Sequence, residues 1–354
     1  MHNIYKTLFV FLLLFSSNLW ANIEYGSEGS KMAKVGFVGA QFLKIEVGAR
    51  GFAMGNAVDP IINDASSVFW NPAGLALSNT KNIFSVKTNW LAGISHSATA
   101  ISMPSPIPLL KGNIALSYVS LGTDKMNETT VLQQNGTGNT FSVKNYSIGL
   151  GYASNYTHKF SFGIHWKYIS ENYVDGLSDL SDDFGLATTW AMDVGTIYNT
   201  GYKNLVIGMS IRNFGPESQL NGNYYDFENG DTSRTDNGDP ELLTFKSHGL
   251  PLTFRFGMAI DPNINEHTQL TLSVVGENPA DNVERVNFGM ELKYLKYFCA
   301  RAGYVFNHDT RGLSFGFGID NFPMLNLGKL DADLAISQFS LFDPVMMFSL
   351  GIHF

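Results

Sequence analysis

The chain has 354 residues, and its net charge of −8 argues against nucleic acid as a partner, because nucleic-acid-binding proteins present clustered positive charge. Only 15% of the residues are charged and 44% are hydrophobic, and the chain contains 35 glycine residues. This composition suits a β-barrel with an apolar outer surface. The single cysteine, Cys299, excludes an intrachain disulfide and a cysteine-based zinc site.

Residues 1–21 have the features of a secretory signal peptide. His2 and Lys6 precede the apolar block 8–15, and the small residue Ala21 closes the segment. The block is shorter than the roughly 20 apolar residues of a membrane-spanning helix. We therefore expect cleavage after Ala21 and a mature protein that is periplasmic, secreted or inserted as a β-barrel in the outer membrane of a Gram-negative cell.

Residues 22–80 are rich in small residues and lack long alternation. Asp64 is a suitable N-cap for a short helical turn that ends at Phe69. The pair Asn71-Pro72 breaks this turn, and Gly74 permits a tight reversal. Three further glycines allow the backbone to pack closely against a wall: Gly48, Gly51 and Gly55. The segment contains no G-x-G-x-x-G motif between a strand and a helix, so we predict no nucleotide site and no other cofactor.

From residue 81 to residue 354, apolar residues recur at every second position. In 160–168, for example, large apolar side chains alternate with polar or small ones, which predicts a strand with one apolar face. Soluble β-sandwiches show the same alternation. About fourteen such strands are predicted, an even number as in bacterial barrels. They lie near 83–90, 93–103, 112–122, 143–154, 158–171, 186–199, 203–214, 252–261, 267–277, 284–295, 298–307, 311–319, 327–338 and 344–354.

The connections between these strands favour a transmembrane barrel over a sandwich. Long gaps at 123–142, 172–185 and 215–251 alternate with short ones at 155–157 and 200–202. External loops and periplasmic turns of outer-membrane barrels alternate in this way. The alternation weakens near the C-terminus, where 320–326 is longer than 308–310, and at the first hairpins. We predict an all-β fold: an antiparallel transmembrane barrel spanning 81–354.

The last strand ends on an aromatic residue. Its apolar face consists of Met346, Phe348, Leu350, Ile352 and Phe354, and its other face is small or polar. We expect this strand to close the barrel against the first strand, with its apolar face toward outer-membrane lipid.

Several charged or polar side chains fall on the predicted inner face of the barrel: His165, Lys167, Arg255, Glu291, Lys293 and Arg301. They either line a polar path or pair with residues of the N-terminal segment such as Arg50, Asp59 and Asp64. We favour pairing, because a charge inside a barrel needs a partner or water. The histidines show no metal-binding spacing, so no metal site is predicted.

Two stretches of the N-terminal segment resemble a known family. The residues Gly-Ala-Arg-Gly-Phe-Ala-Met-Gly-Asn-Ala at 48–57, followed by Asp-Ala-Ser-Ser-Val-Phe-Trp-Asn-Pro-Ala-Gly-Leu-Ala at 64–76, look like the amino-terminal signature of the PorV/PorQ family. That family belongs to the wider group resembling the FadL fatty-acid transporter. The stretches 191–199 and 208–215 are similar to the middle strands of the same family.

The resemblance implies a fourteen-stranded barrel in which 22–80 folds inside as a hatch. The hatch motif comprises Gly48, Arg50, Gly55, Asn56, Asp64, Asn71, Pro72 and Gly74. It also implies a role near type IX secretion, with the translocon and with cargo that carries a C-terminal signal domain as partners. FadL-like relatives instead pass hydrophobic small molecules through the barrel wall.

Three functions follow as hypotheses. The first is a secretion-associated barrel that receives or shuttles cargo through its long external loops. The second is a transporter of hydrophobic small molecules, which predicts an apolar pocket beside the hatch and a gap in the wall. The third is a membrane enzyme, which predicts a Ser–His pair at the outer rim. The G-x-S-x-G sequence at 312–316 falls inside the predicted strand 311–319 and so forms no elbow between a strand and a helix, and we expect no enzyme.

Overall fold

The computed structural model describes residues 36–130, 132–177, 183–225, 242–324, 328–340 and 342–354. Over these residues the chain forms fourteen long antiparallel strands that close into a barrel, as predicted. In chain order they are β1 Asn82–Asn89, β2 Ser95–Pro104, β3 Asn113–Gly122, β4 Thr140–Asn155, β5 Phe160–Asp175, β6 Leu186–Asn199, β7 Val206–Phe214, β8 Thr253–Ile260, β9 Thr268–Pro279, β10 Arg285–Tyr294, β11 Phe298–Phe306, β12 Arg311–Met324, β13 Gly328–Phe339 and β14 Phe342–His353.

The barrel closes between β1 and β14. Val86 lies opposite Ser349 in this ladder, and the N–H of Phe354 donates to the carbonyl of Lys81 at 2.9 Å. Every other described strand pairs with its neighbours in sequence. Closure removes both sheet edges, so the backbone polar groups of the wall bond to one another as a membrane requires.

The side chains alternate between the two faces as the sequence predicts. On β14, Phe348 and Leu350 point outward with exposed fractions of 48% and 40%, whereas Ser349 between them is 2% exposed. The other strands repeat this arrangement. An outer face of large apolar side chains around a polar inner face is the signature of a transmembrane barrel.

The few predicted boundaries that differ concern strand ends. β4 and β5 extend further toward the long loops than 143–154 and 158–171. The expectation of a long connection at 320–326 was wrong, because β12 continues to Met324 and β13 begins at Gly328. A bulge in the β12–β13 ladder lies between Ile319 and Phe322, and pairing resumes beyond it to Met324.

The two ends of the barrel differ in their connections. One end, the loop end, carries 90–94, 123–139, 176–185, 215–252, 280–284, 307–310 and 340–341. The other end, the turn end, carries 105–112, 156–159, 200–205, 261–267, 295–297 and 325–327, together with the C-terminus. Four short strands lie in the connections: Met126–Asn127, Asn223–Tyr225, Leu242–Thr244 and Asn263–Asn265.

Residues 36–81, called here the N-terminal segment, contain little regular structure. The helix α1, Ala49–Ala53, is the one α-helix of the described chain, and 3₁₀ turns occupy Gln41–Lys44, Ala65–Phe69 and Pro72–Leu77. No helix among the described residues is long and apolar enough to cross a membrane. The predicted signal peptide and residues 22–35 of the predicted hatch lie outside the described residues.

The N-terminal segment packs against the inner face of the strands. Its side chains Phe42, Phe52, Met54, Trp70 and Leu75 are at most 2% exposed. Inward-facing glycines make room for it, because a Cβ at these positions would collide with the segment: Gly163 with Pro72, Gly195 with Asn71, Gly208 with Asp59, and Gly303 with Gly55. The wall and the segment therefore share one core.

Candidate functional site

Described residues line two cavities inside the barrel, one on each side of the N-terminal segment. The loop-side cavity has a volume of about 460 Å³ and the turn-side cavity about 1040 Å³. The loop-side cavity is bounded by 90–94, His308 and Thr310 at the loop end, and the turn-side cavity by 156–159 and Asp261 at the turn end. Pockets of ~300–1,000 Å³ hold small molecules in other proteins.

The loop-side cavity is lined by both apolar and charged side chains. Its apolar lining includes Phe42, Ile45, Val68, Phe69, Val119 and Phe339. Its charged lining includes Glu46, Lys167, Asp193, Arg212, Arg255, Glu277, Arg285 and Arg311. Residues Gln41–Val47 also line this cavity, so the N-terminal segment forms part of its boundary.

The start of the described segment is attached to the loop end. The N–H of Gly39 donates to Gly249 O at 2.9 Å, and that of Ala40 donates to the buried carboxylate of Glu171 at 2.9 Å. Lys44 pairs with Asp281 at 2.8 Å. These contacts fix the 3₁₀ turn Gln41–Lys44 beside the loop-side cavity.

Arg255 on β8 joins the wall to the N-terminal segment. Its guanidinium donates to both carboxylate oxygens of Asp59, with Nη2 2.9 Å from Oδ2, and also to Glu277 and to the backbone oxygen of Asn56. Arg255 is 1% exposed and Asp59 is fully buried. Ser210 on β7 donates to the same aspartate at 2.9 Å.

A second ionic network lies beside the turn-side cavity. Glu291 on β10 accepts from Arg50 of the segment at 2.9 Å and from Arg301 on β11 at 2.5 Å. Arg301 continues to two further carboxylates, at 3.0 Å from Asp320 and 2.5 Å from Asp333. Lys293 bonds to Asp320 at 2.7 Å.

Glu291, Cys299 and Asp320 are close enough to share a metal ion. Both carboxylates are already paired with cationic side chains, from Arg50, Arg301 and Lys293. A divalent cation would have to displace these partners, so the cluster fits a structural network better than a metal site.

His165 and Lys167 on β5 belong to a third network, which joins residues of several wall strands. His165 Nε2 lies 2.8 Å from Ser117 Oγ, and Nδ1 lies 3.2 Å from Asp193 Oδ2. Lys167 bonds to the other oxygen of Asp193 at 2.8 Å. His165 reaches Ser117 across Gly149, where a Cβ would collide with the imidazole.

Ser117, His165 and Asp193 have the connectivity of a Ser-His-Asp triad. They lie in the barrel interior rather than at the rim, and Ser117, at 3% exposed, lines neither cavity. A nucleophile must reach its substrate within about 3–3.5 Å. The described geometry gives Ser117 no such access, so the network braces strands β3, β5 and β6.

A bulge in the β6–β7 ladder lies at the same place. The backbone N–H of Asn213, whose φ is 61°, donates to Asp193 Oδ1 at 2.7 Å instead of to the neighbouring strand. The transporter hypothesis predicted a gap in the wall. The described β6 and β7 remain paired from Val194 to Asn199, so the wall is continuous toward the turn end.

The predicted hatch residues take distinct positions. Asp64 caps the turn Ala65–Phe69 by accepting from Ser66 N at 2.7 Å, as predicted, and does not pair with an inner-face cation in the described contacts. Asn71 donates to Asp59 O at 3.0 Å and to Thr196 O of β6 at 3.1 Å. Pro72 then begins the next 3₁₀ turn.

The glycines of the motif serve mainly close contacts. Gly48 has a φ of 106°, and Gly55, with a φ of 57°, lies against the backbone of β11. Gly74 lies within the turn Pro72–Leu77 against the carbonyl of Ile62, so its role is close packing rather than the tight reversal expected.

Sequence reasoning missed the contacts around Arg311 at the start of β12. Arg311 Nη1 donates to Glu46 at 2.8 Å and to Asn56 Oδ1 at 3.1 Å, and Nη2 donates to Phe52 O at 2.8 Å. Its guanidinium carbon lies 4.0 Å from the Phe52 ring centroid. The available signal was a charged residue on the inner face of an alternating strand. It applied to Arg311 on β12 and equally to Asp193 on β6.

Two titratable groups near Arg311 lie outside the strands. Burial opposes ionisation of Glu46, but the Arg311 charge and the Asn56 hydrogen bond hold its pKa below the usual 4.5. Burial, with the nearby Arg285 charge, lowers the pKa of His308 to about 4. At neutral pH Glu46 is therefore ionised and His308 is neutral.

The sequence matches no known family model and no curated protein. Solved structures do match. The toluene transporter TodX of Pseudomonas putida superposes with a TM-score of 0.53 at 15% identity, covering 87% of this chain and 98% of TodX. The toluene transporter TbuX of Ralstonia pickettii gives 0.51 at 13% identity, covering 87% and 98%. The monoaromatic hydrocarbon channel CymD gives 0.50 at 12% identity, covering 88% and 98%.

These similarities span nearly the whole of each channel. At this level of identity they establish the fold alone. The chain therefore has the same fold as these hydrocarbon channels.

Proposed function

We propose that the protein is an outer-membrane transporter of hydrophobic small molecules in which the N-terminal segment forms a plug. The observation that carries the proposal is the loop-side cavity of about 460 Å³, whose lining includes large apolar side chains as well as Gln41–Val47 of the segment. TodX and TbuX, which are toluene transporters, and CymD, a monoaromatic hydrocarbon channel, have the same fold, which supports the proposal. We infer that the loop end faces the cell exterior, because long connections are extracellular in such barrels.

The hatch motif acquires a role within this proposal. Arg50 and Asp59 pair with wall residues Glu291 and Arg255, so they hold the plug in place. Asn56 and Asn71 satisfy backbone and side-chain groups at the plug–wall contact. Of the predicted inner-face residues, His165, Lys167, Lys293 and Arg301 bond to other wall residues and stiffen the barrel around the plug.

Uptake of radiolabelled toluene by cells that express the chain tests the proposal. Val119→Trp places an indole in the loop-side cavity, from a position that is 5% exposed. Val286→Trp makes the same change on the outer wall, where Val286 is 41% exposed, and serves as the control. We expect uptake above that of cells without the protein, reduced by Val119→Trp and unaffected by Val286→Trp. Equal uptake with and without the protein would refute the proposal.

A role in type IX secretion is the second candidate. It rests on the PorV/PorQ-like stretches at 48–57 and 64–76 and on the length of the connection 215–252. Deletion of 216–248 should abolish cargo capture while the barrel remains heat-modifiable. Co-purification of the native barrel with a translocon barrel or signal-bearing cargo would favour this candidate, and a bound hydrophobic molecule would favour transport.

We propose no catalytic role. The Ser117–His165–Asp193 arrangement is the one feature that favours an enzyme, and Ser117 is buried beneath the plug. A fluorophosphonate probe should therefore leave the folded protein unlabelled. Labelling that is lost in Ser117→Ala would contradict this proposal.

A further inference from the structure

Trp70 stands between the two cavities. Among the described residues, Trp70 and Val47 are the two that line both the loop-side and the turn-side cavity. Trp70 is 1% exposed and Val47 is 6% exposed, so both are buried residues that lie between the cavities. A layer only one side chain thick separates the two volumes at this point.

The indole is held in place on several sides. Its Nε1 donates to Val47 O at 2.8 Å, which ties the two separating residues to each other. Gly51 of α1 lies against the ring, and a Cβ there would collide with it. The ring therefore needs a glycine at this position in order to lie across the plug.

Two arginines flank the ring. The guanidinium carbons of Arg212 and Arg255 lie 5.8 Å and 5.7 Å from the ring, within the ~6 Å range of cation–π contacts. Both arginines are attached elsewhere: Arg212 donates to Phe69 O at 2.9 Å and Arg255 pairs with Asp59. The indole is thus clamped between the wall strands β7 and β8 and the segment.

We propose that Trp70 is the gate that separates the extracellular-side and periplasmic-side cavities and that sets what passes between them. This inference deepens the proposed function and rests on it for direction of transport. An indole occupies several times the ~30 Å³ of a water molecule, so its removal would join the cavities by a gap that water and small ions enter. Movement of the same ring, rather than release of the whole plug, would open the path to a hydrophobic molecule.

The test is potassium chloride conductance of the full mature chain in planar bilayers. Trp70→Ala should raise the conductance on the order of tenfold or more, because a dry constriction that blocks ions has been removed. Trp70→Phe keeps an aromatic ring and should raise it much less. The control is Trp190→Ala on the outer wall, where Trp190 is 43% exposed, and its conductance should equal that of the wild type.

Heat-modifiable mobility in gels confirms that each variant is folded. If Trp70→Ala does not fold, Trp70→Leu carries the test, because leucine retains apolar bulk but leaves part of the ring volume empty. A folded Trp70→Ala or Trp70→Leu that conducts like the wild type would overturn the inference.

Toluene uptake by the same variants separates this inference from the proposed function. If the Trp70 variants conduct more than the wild type but the wild type takes up no toluene, the gate inference stands and hydrocarbon transport is refuted. Toluene uptake by the wild type together with unchanged conductance of the variants would refute the gate alone.

Discussion

Removal of the Arg255 charge should destabilise the barrel strongly. Arg255 is 1% exposed and makes two carboxylate contacts, to Asp59 and Glu277. Arg255→Gln would leave Asp59 fully buried without its cation. Removal of one partner of a buried ion pair costs about 3–5 kcal/mol, because the remaining charge is not compensated. We expect the free energy of unfolding to fall by about this amount.

The matched control is an exposed pair on the same barrel. Lys144 and Asp175 lie 2.5 Å apart, and their side chains are 65% and 35% exposed. Solvent screens such pairs, so Lys144→Gln should cost only about 0–1 kcal/mol. Urea titrations of the folded protein in detergent, followed by heat-modifiable gel mobility, measure both variants.

A double variant isolates the contact itself. Arg255→Gln with Asp59→Asn removes both charges, and part of the lost stability should return, because no charge remains on Asp59. A loss for Arg255→Gln no larger than that for Lys144→Gln would refute the buried clamp between wall and segment.

Three further predictions concern other parts of the molecule. Phe354→Ala, or removal of Phe354, should impair barrel assembly without changing toluene binding by the protein that does assemble, and normal assembly would show that the terminal residue is dispensable. Gly149→Ala should lower the free energy of unfolding by about 1–3 kcal/mol, because its Cβ collides with His165. Gly276→Ala, whose Cβ would have its nearest neighbour at 3.8 Å, should leave the stability unchanged. Equal losses for the two variants would contradict the brace between β3 and β5. Because the folded pKa of Glu46 lies below 4.5, its contribution to stability is present above pH 4.5 and is lost as pH falls through the folded pKa. Glu46→Gln should therefore weaken the protein at pH 7 and flatten the acid limb of its stability curve, and an unchanged acid limb would exclude this carboxylate as its source.

The wall was predictable from sequence because its pattern is local. The alternation of β6 placed its boundaries at 186–199, and the structure has Leu186–Asn199. The same alternation placed His165, Lys167, Arg255 and Glu291 on the inner face, and all four are buried. Successive side chains of a strand point to opposite faces, so the position of a residue along the strand decides whether its side chain faces inward or outward.

The sequence predicted that inner-face charges such as Arg255 pair with residues of the N-terminal segment such as Asp59, but it did not predict which residues pair. Asp59 and Arg255 are separated by 196 residues, and Glu46 and Arg311 by 265, so no local pattern links them. The network Ser117–His165–Asp193 depends on the absence of a side chain at Gly149, which only the registered strands reveal. The capped turn Ala65–Phe69 was predicted because its cap, Asp64, is adjacent in sequence.

A disulfide between the N-terminal segment and the wall tests whether the segment occupies the lumen. A Cβ built on the inward-facing Gly289 lies 3.0 Å from Met54 Cβ and 2.7 Å from Met54 O, so a shift of about 0.5 Å would relieve the contact and bring the two Cβ atoms to the ~3.5–4.5 Å typical of disulfides. In a Cys299→Ser background, Met54→Cys with Gly289→Cys should cross-link on oxidation of the folded barrel. Met54→Cys with Met290→Cys should not, because Met290 points outward and is 45% exposed. We expect cross-linking of the first pair alone, and absence of that cross-link, or equal cross-linking of both pairs, would show that the segment does not occupy the lumen in this position.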